Sequence, residues 1–275
     1  MGRESKSRRQ HLQASPPPDP PSPPAAPTPA QLLAKYDARP LSGLPDPVEK
    51  FHLKVVTDLL ADHAAAPAPT GPLRATRTWH RHHDAFAASR PDVLNFGGDV
   101  KHLACARGCN HCCRSPVGVA GIEAVLVADA IDRTFTPEAR QSLRRRMDAR
   151  KAAQQPNHLC PLNVDGRCQV YDSRPFNCRV FHSFDVDACK KLFEDGEMGR
   201  GLPVDPIRRR YDKLIAASAN VALTALDLDM RMLEFMAALE LALDAGESRD
   251  ERLTTRDDLF ASLPTITPPW AATPE

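Results

Sequence analysis

Eight cysteines lie within residues 105–189, and the rest of the 275-residue chain has none. They fall into two groups. Cys105, Cys109, Cys112 and Cys113 crowd into nine positions, while Cys160, Cys168, Cys178 and Cys189 are separated by seven, nine and ten residues. Thiolate sulfur is the protein ligand for zinc, iron–sulfur clusters and other soft metals. Eight thiols are enough for two four-sulfur sites.

Cys109-x-x-Cys112 is the most specific local signal, since a short turn aims both sulfurs at one ion. Gly108 stands just before it, where a special φ or a close backbone approach is useful. Cys113 complicates this site. Neighbouring side chains in an extended segment point to opposite sides. An extended Cys112–Cys113 step would thus serve two metals, each drawing ligands from both cysteine groups, or let one cysteine ligate while the other supports. The longer spacings after Cys160 exceed a zinc-finger knuckle, so the fold must bring those ligands together. Residues 163–166 read as a tight turn and 169–171 as a short strand or a single extended step.

Arginine accompanies the sulfur. Arg107, Arg114, Arg167, Arg174 and Arg179 each lie within four residues of a cysteine. A thiolate-rich centre is anionic, and guanidinium groups offset its charge and donate hydrogen bonds to sulfur. Arg174 and Arg179 are the strongest candidates for that supporting role. A disulfide framework is the competing use of eight cysteines. The adjacent pair Cys112–Cys113 and the absence of an apolar export segment in the first residues both argue against it.

The surrounding elements read as helices. Asp46-Pro47 opens one, with Val48, Phe51, Val55, Leu59 and Leu60 at helical spacing, and Pro67, Pro69 and Pro72 close it. A second covers residues 74–89 and carries His80, His82 and His83. With no cysteine nearby in sequence and too few acids to complete a ligand set, those histidines read as a partly exposed face rather than as ligands. Residues 121–131 form a third. Thr136-Pro137-Glu138 opens a fourth, whose Arg140, Arg144, Arg145, Arg146, Arg150 and Lys151 read as a solvated side balanced by acids elsewhere. After Asp205-Pro206, a stripe from Ile207 to Leu239 predicts one long helix or two packed ones, ending at Gly246. A last helix is predicted over residues 255–263.

The fold class is therefore mainly α, a helical protein around an irregular eight-cysteine module. Residues 1–40 read as a disordered Pro-rich tail and 41–104 as a helical lead-in. The module covers 105–189, C-terminal helices 190–263 and a flexible tail 264–275. A net charge of +1 gives no pull toward nucleic acid, and no apolar run is long enough to cross a bilayer. The expected setting is the cytoplasm, with a protein partner or protein substrate.

These pieces resemble the CxxCxxCC zinc- or iron-chelating domain family, the cysteine-cluster proteins of the YkgJ type. The matching residues are Cys105, Cys109, Cys112 and Cys113, with Glu123 ten positions on. Cys160-Pro-Leu, Gly166-Arg-Cys168, Tyr171-Asp-Ser-Arg174-Pro175, Cys178-Arg179-Val-Phe181 and Cys189 complete the match. The three-residue gap between Cys105 and Cys109 departs from the two that the pattern specifies. The resemblance implies a zinc or iron–sulfur centre on the eight cysteines. It also implies, as alternatives, an iron–sulfur oxidoreductase or a flagellin-type protein-lysine N-methylase. No glycine-rich strand-to-helix turn for a methyl donor stands in the chain. Glu123 is the best single acid/base candidate, with a supporting role near the cluster as the other reading.

Overall fold

A computed structural model describes residues 28, 31, 45–66, 70–89, 103–106, 108–153, 158–195, 201–249 and 259–267. The tail expected at residues 1–40 falls almost wholly outside these, as do Pro67, Pro69 and Arg107. The fold is mainly α. Its helices among the described residues are α1 (Asp46–Ala64), α2 (Thr70–Ser89), α3 (Gly121–Thr134), α4 (Pro137–Ala153), α5 (Phe176–Val180), α6 (Val186–Phe193), α7 (Pro206–Ala225) and α8 (Phe235–Ala245).

Two helical groups share one core. Helices α1, α2 and α7 pack on one another, and α3 lies between α2 and α8. Val55, Leu59 and Leu60 of α1 meet Val125 and Ile131 of α3, Leu223 of α7 and Leu239 of α8 in a single fully buried cluster. Helix α3 is apolar almost all round, as its central place requires. Helix α2 begins earlier than the proline pattern predicts. Pro72 sits in its first turn, where a missing N–H costs nothing.

The C-terminal stripe is two helices. Asp205 caps α7 by accepting from the N–H groups of Ile207 and Arg208. Asp227, at a φ of 58°, ends that helix. Leu228 and Met232 then belong to a connector, not to a helix face. Leu233–Glu234 (β4) pairs antiparallel with Gly118–Val119 (β1), which ties the entrance of α8 to the entrance of α3. Glu234 caps α8 by accepting from Ala237 N–H. The last predicted helix is only a turn at residues 259–263 among the described residues, with Phe260 buried against Gly121. The Ile266 N–H donates to Met232 O, so the expected C-terminal tail begins docked on the connector. Among the described residues no helix is long and apolar enough to cross a membrane.

Candidate metal centre

Backbone turns place the first cysteine group. Gly108 has a φ of 91°, a conformation that suits glycine, and Cys109 N–H closes back on Ala106 O. His111–Arg114 then forms a 3-10 turn. Cys112 and Cys113 are therefore not extended, which corrects the premise that adjacency alone would point them apart. Their thiols sit close enough that each shifts the acidity of the other. The turn packs on α6, the helix that carries Cys189. Glu194, just past the end of α6, holds the turn with one carboxylate oxygen, 2.8 Å from His111 Nδ1 and 3.6 Å from Arg114 Nε.

The second group is positioned from three directions. Cys160 N–H donates to Cys113 O at 2.9 Å, joining the two groups directly. A hairpin follows, Asn163–Val164 (β2) paired with Arg167–Cys168 (β3). Both of its turn residues, Asp165 and Gly166, have positive φ, as a two-residue hairpin requires. The strand expected at residues 169–171 is displaced to this hairpin, and Tyr171 opens a 3-10 turn instead. Arg146 and Arg150 of α4 donate to Pro161 O (2.7 Å) and His158 O (3.0 Å), on either side of Cys160. Those two arginines are thus not a solvated face. Arg140 and Arg144 do pair with surface acids, Asp132 and Asp244.

Cys178 lies in α5, whose first N–H, on Phe176, donates to Glu123 Oε1 at 2.6 Å. Glu123 is only 2% exposed and accepts twice more. Ala120 N–H donates to its Oε2 (3.0 Å), and His80 Nε2 lies 3.0 Å from its Oε1. This one carboxylate joins α2, the start of α3 and the start of α5. Glu123 is therefore a structural joint between these three elements. The partly exposed face expected for the histidines is wrong for two of them: His80 and His83 are 4% and 1% exposed. His80 pairs with the distant Glu123, and His83 lies between its neighbour Asp84 (3.2 Å from Nδ1) and the distant Asp212 (3.3 Å from Nε2). Burial pushes the His80 ring below its ordinary value, so it is neutral near neutral pH and donates its Nε2–H.

All eight cysteines are free thiols. Their electrostatics divide them. Cys178 is pushed far up, first by burial and then by Cys160, Cys168 and Cys113. Cys160 is pushed up to about 12 by burial, with Cys113 and Cys168 adding to it. Cys168 is raised by burial while Arg174 and Arg179 oppose the rise. Cys189 is raised by burial and by Cys105 and Cys109. One neighbourhood is thus Cys113, Cys160, Cys168 and Cys178; the other is Cys105, Cys109 and Cys189. Cys112 stands between, feeling Cys113, Cys178 and Cys109. Within the coupled pair, Cys113 is the thiol favoured as thiolate. The Cys112 hydrogen bond lowers it first, then Asn163 Nδ2, 3.6 Å from its sulfur, and the charges of Arg174 and Arg114.

Arg174 and Arg179 take different parts. Arg174 lies over the Tyr171 ring, its guanidinium carbon 3.9 Å from the centroid, and its charge reaches Cys113 and Cys168. Arg179, 4% exposed, spends its N–H groups on Arg174 O (2.9 Å), Asp172 O (2.6 Å) and the Asp84 carboxylate. It reaches Cys168 through charge alone and holds the loop that carries Arg174. Arg167 is exposed on the hairpin.

The donor set suits a soft metal in chemistry. Among the described residues, however, no three His, Cys, Asp or Glu side chains converge tightly enough to hold an ion. The thiols are neighbours rather than a closed shell. Sequence reasoning missed His80, Asn163, Arg146 and Arg150. Only the arginine pair left a signal, since two arginines four apart share a helix face. No family model, curated protein or solved structure matches the chain.

Proposed function

We propose that this is a metal-binding protein whose eight cysteines carry a zinc or iron–sulfur centre in two interleaved sets. Cys113, Cys160, Cys168 and Cys178 supply the first; Cys105, Cys109 and Cys189, with Cys112, supply the second. The observation that supports this most is that Cys160, Cys168 and Cys113 all act on the buried Cys178 thiol, so four thiols from residues 113–178 lie within electrostatic reach of one another. Deprotonating such a group without a cation is costly, and a bound metal removes that cost by taking the thiolates as ligands. Arg174 and Arg114 supply compensating positive charge, and Asn163 a hydrogen bond to sulfur, as second-layer groups around metal thiolates do. Eight free thiols also fit a reducing compartment such as the cytoplasm.

A second reading is an iron–sulfur enzyme, either an oxidoreductase or a protein-lysine N-methylase. The observation in its favour is a cleft beside the first set, lined by Arg174 and Arg179. A purely structural or electron-carrying centre has no use for one.

Anaerobic purification, metal analysis and a visible spectrum test the proposal. Stoichiometric zinc, or iron with sulfide and a visible absorption, is expected. Cys168→Ser should lose the first set's metal and Cys189→Ser the second's. Eight freely titrating thiols on a metal-free, folded protein would overturn it.

A further inference from the structure

The cleft beside the first cysteine set has a volume of about 300 Å³ and is lined by Asp84, Tyr171, Asp172, Arg174, Arg179 and Arg208, among others. That is the lower end of the size of a small-ligand site. Three guanidinium groups against two carboxylates make its wall net positive. The charges are not equivalent. Arg179 and Asp84 neutralise each other, and the remaining Arg179 N–H groups hold backbone carbonyls. They form the frame.

Arg174 differs. Its carbonyl is taken by Arg179, its guanidinium carbon lies over the Tyr171 ring, and its buried Nε–H has no hydrogen-bond acceptor. That guanidinium lines the cleft, and an oxyanion is the acceptor that a guanidinium matches best. Tyr171, 57% exposed, is one of the few large apolar side chains so open to solvent among the described residues, and it sits at this cleft. An open aromatic ring under a fixed cation is a platform for a flat group bearing negative charge.

We infer that this cleft binds a small organic oxyanion, a carboxylate or phosphate ester attached to a planar group, with Arg174 as its charge partner and Tyr171 as its stacking surface. The inference stands whether or not the cysteines carry metal. It also gives the enzyme reading a substrate class, because Arg174 lines the cleft beside the first cysteine set.

Titration calorimetry on the full chain, with metal content measured on the same sample, tests it with phenyl phosphate and inorganic phosphate as probes. Saturable one-to-one binding of phenyl phosphate is expected. Arg174→Gln should weaken both probes by about tenfold or more, the usual loss for a charge-assisted hydrogen bond. Tyr171→Ala, an exposed change that leaves folding intact, should weaken phenyl phosphate and spare inorganic phosphate. Arg144→Gln controls for net charge and should change neither. No saturable binding by the parent chain would overturn the inference. So would equal losses in Arg174→Gln and Arg144→Gln, or full phenyl phosphate affinity in Tyr171→Ala. The metal content is read separately, so a metal-free protein that binds phenyl phosphate refutes only the metal proposal.

Discussion

Glu123 Oε1 lies 3.0 Å from His80 Nε2, and both side chains are closed off from solvent. The same carboxylate accepts from Phe176 N–H, two residues before Cys178, and from Ala120 N–H. One buried acid therefore aligns the helix that delivers a cysteine with the helix that forms the centre of the core.

Glu123→Ala should cost about 3–5 kcal/mol, because it strands three buried donors and creates a cavity. Glu123→Gln keeps an acceptor oxygen and should cost about 1–2 kcal/mol. Urea unfolding monitored by circular dichroism checks both. Equal, small losses would show that the carboxylate is not the joint between these elements.

Arg174→Ala and Arg146→Ala should each lower metal retention about 10–100-fold in a chelator competition, the range for lost second-layer contacts. Arg174 acts on Cys113 and Cys168 by charge, and Arg146 by fixing the carbonyl beside Cys160. Arg144→Ala, which breaks only a surface pair with Asp244, should retain metal like the parent. Indistinguishable retention among all three would remove the supporting roles.

Asp84 carries a pH dependence. Burial alone would raise its carboxyl, but the His83 hydrogen bond and the Arg179 guanidinium outweigh that and hold it at about 2. A folded value below the unfolded one, near ~3.9, means stability that is present above the unfolded value and is lost as pH falls through the folded one. The parent should therefore exceed Asp84→Asn in denaturation midpoint by a constant margin from about pH 5 to 8. That margin should shrink between about pH 4 and 2. A margin that survives at the acid end would assign it to packing instead of charge.

Gly121→Ala should destabilise the fold by about 1–3 kcal/mol, as overpacking does. A Cβ there would stand 2.5 Å from the Phe260 ring, and Gly121 opens the buried helix α3. The denaturation midpoint of Gly121→Ala checks it, and the double variant Gly121→Ala/Phe260→Leu should recover part of the loss. If it recovers nothing, the turn at residues 259–263 does not seal the core at that point.

The sequence by itself determined the helices whose signals are local. Asp205-Pro206 caps α7, Thr136-Pro137 opens α4, and Val55, Leu59 and Leu60 mark the buried face of α1. Caps and apolar periodicity act within a few residues, so no partner is needed to read them. The cysteines and the flanking Arg174 and Arg179 were legible for the same reason, as residue types at short spacing.

Tertiary structure alone decided how those groups meet. The split of the C-terminal stripe at Asp227 followed from β1–β4 pairing across more than a hundred residues. His80 gained its acid 43 positions away, and Cys160 gained its support from arginines that look like solvent-facing charge. The division of the thiols did not come from the direction of neighbouring side chains, since Cys112 and Cys113 share a 3-10 turn. It came from which chain segments reach that turn: α6 with Cys189, and the Cys160 segment through its hydrogen bond to Cys113 O. Burial and charge proximity are properties of segments brought together, and spacing along one chain carries no record of them.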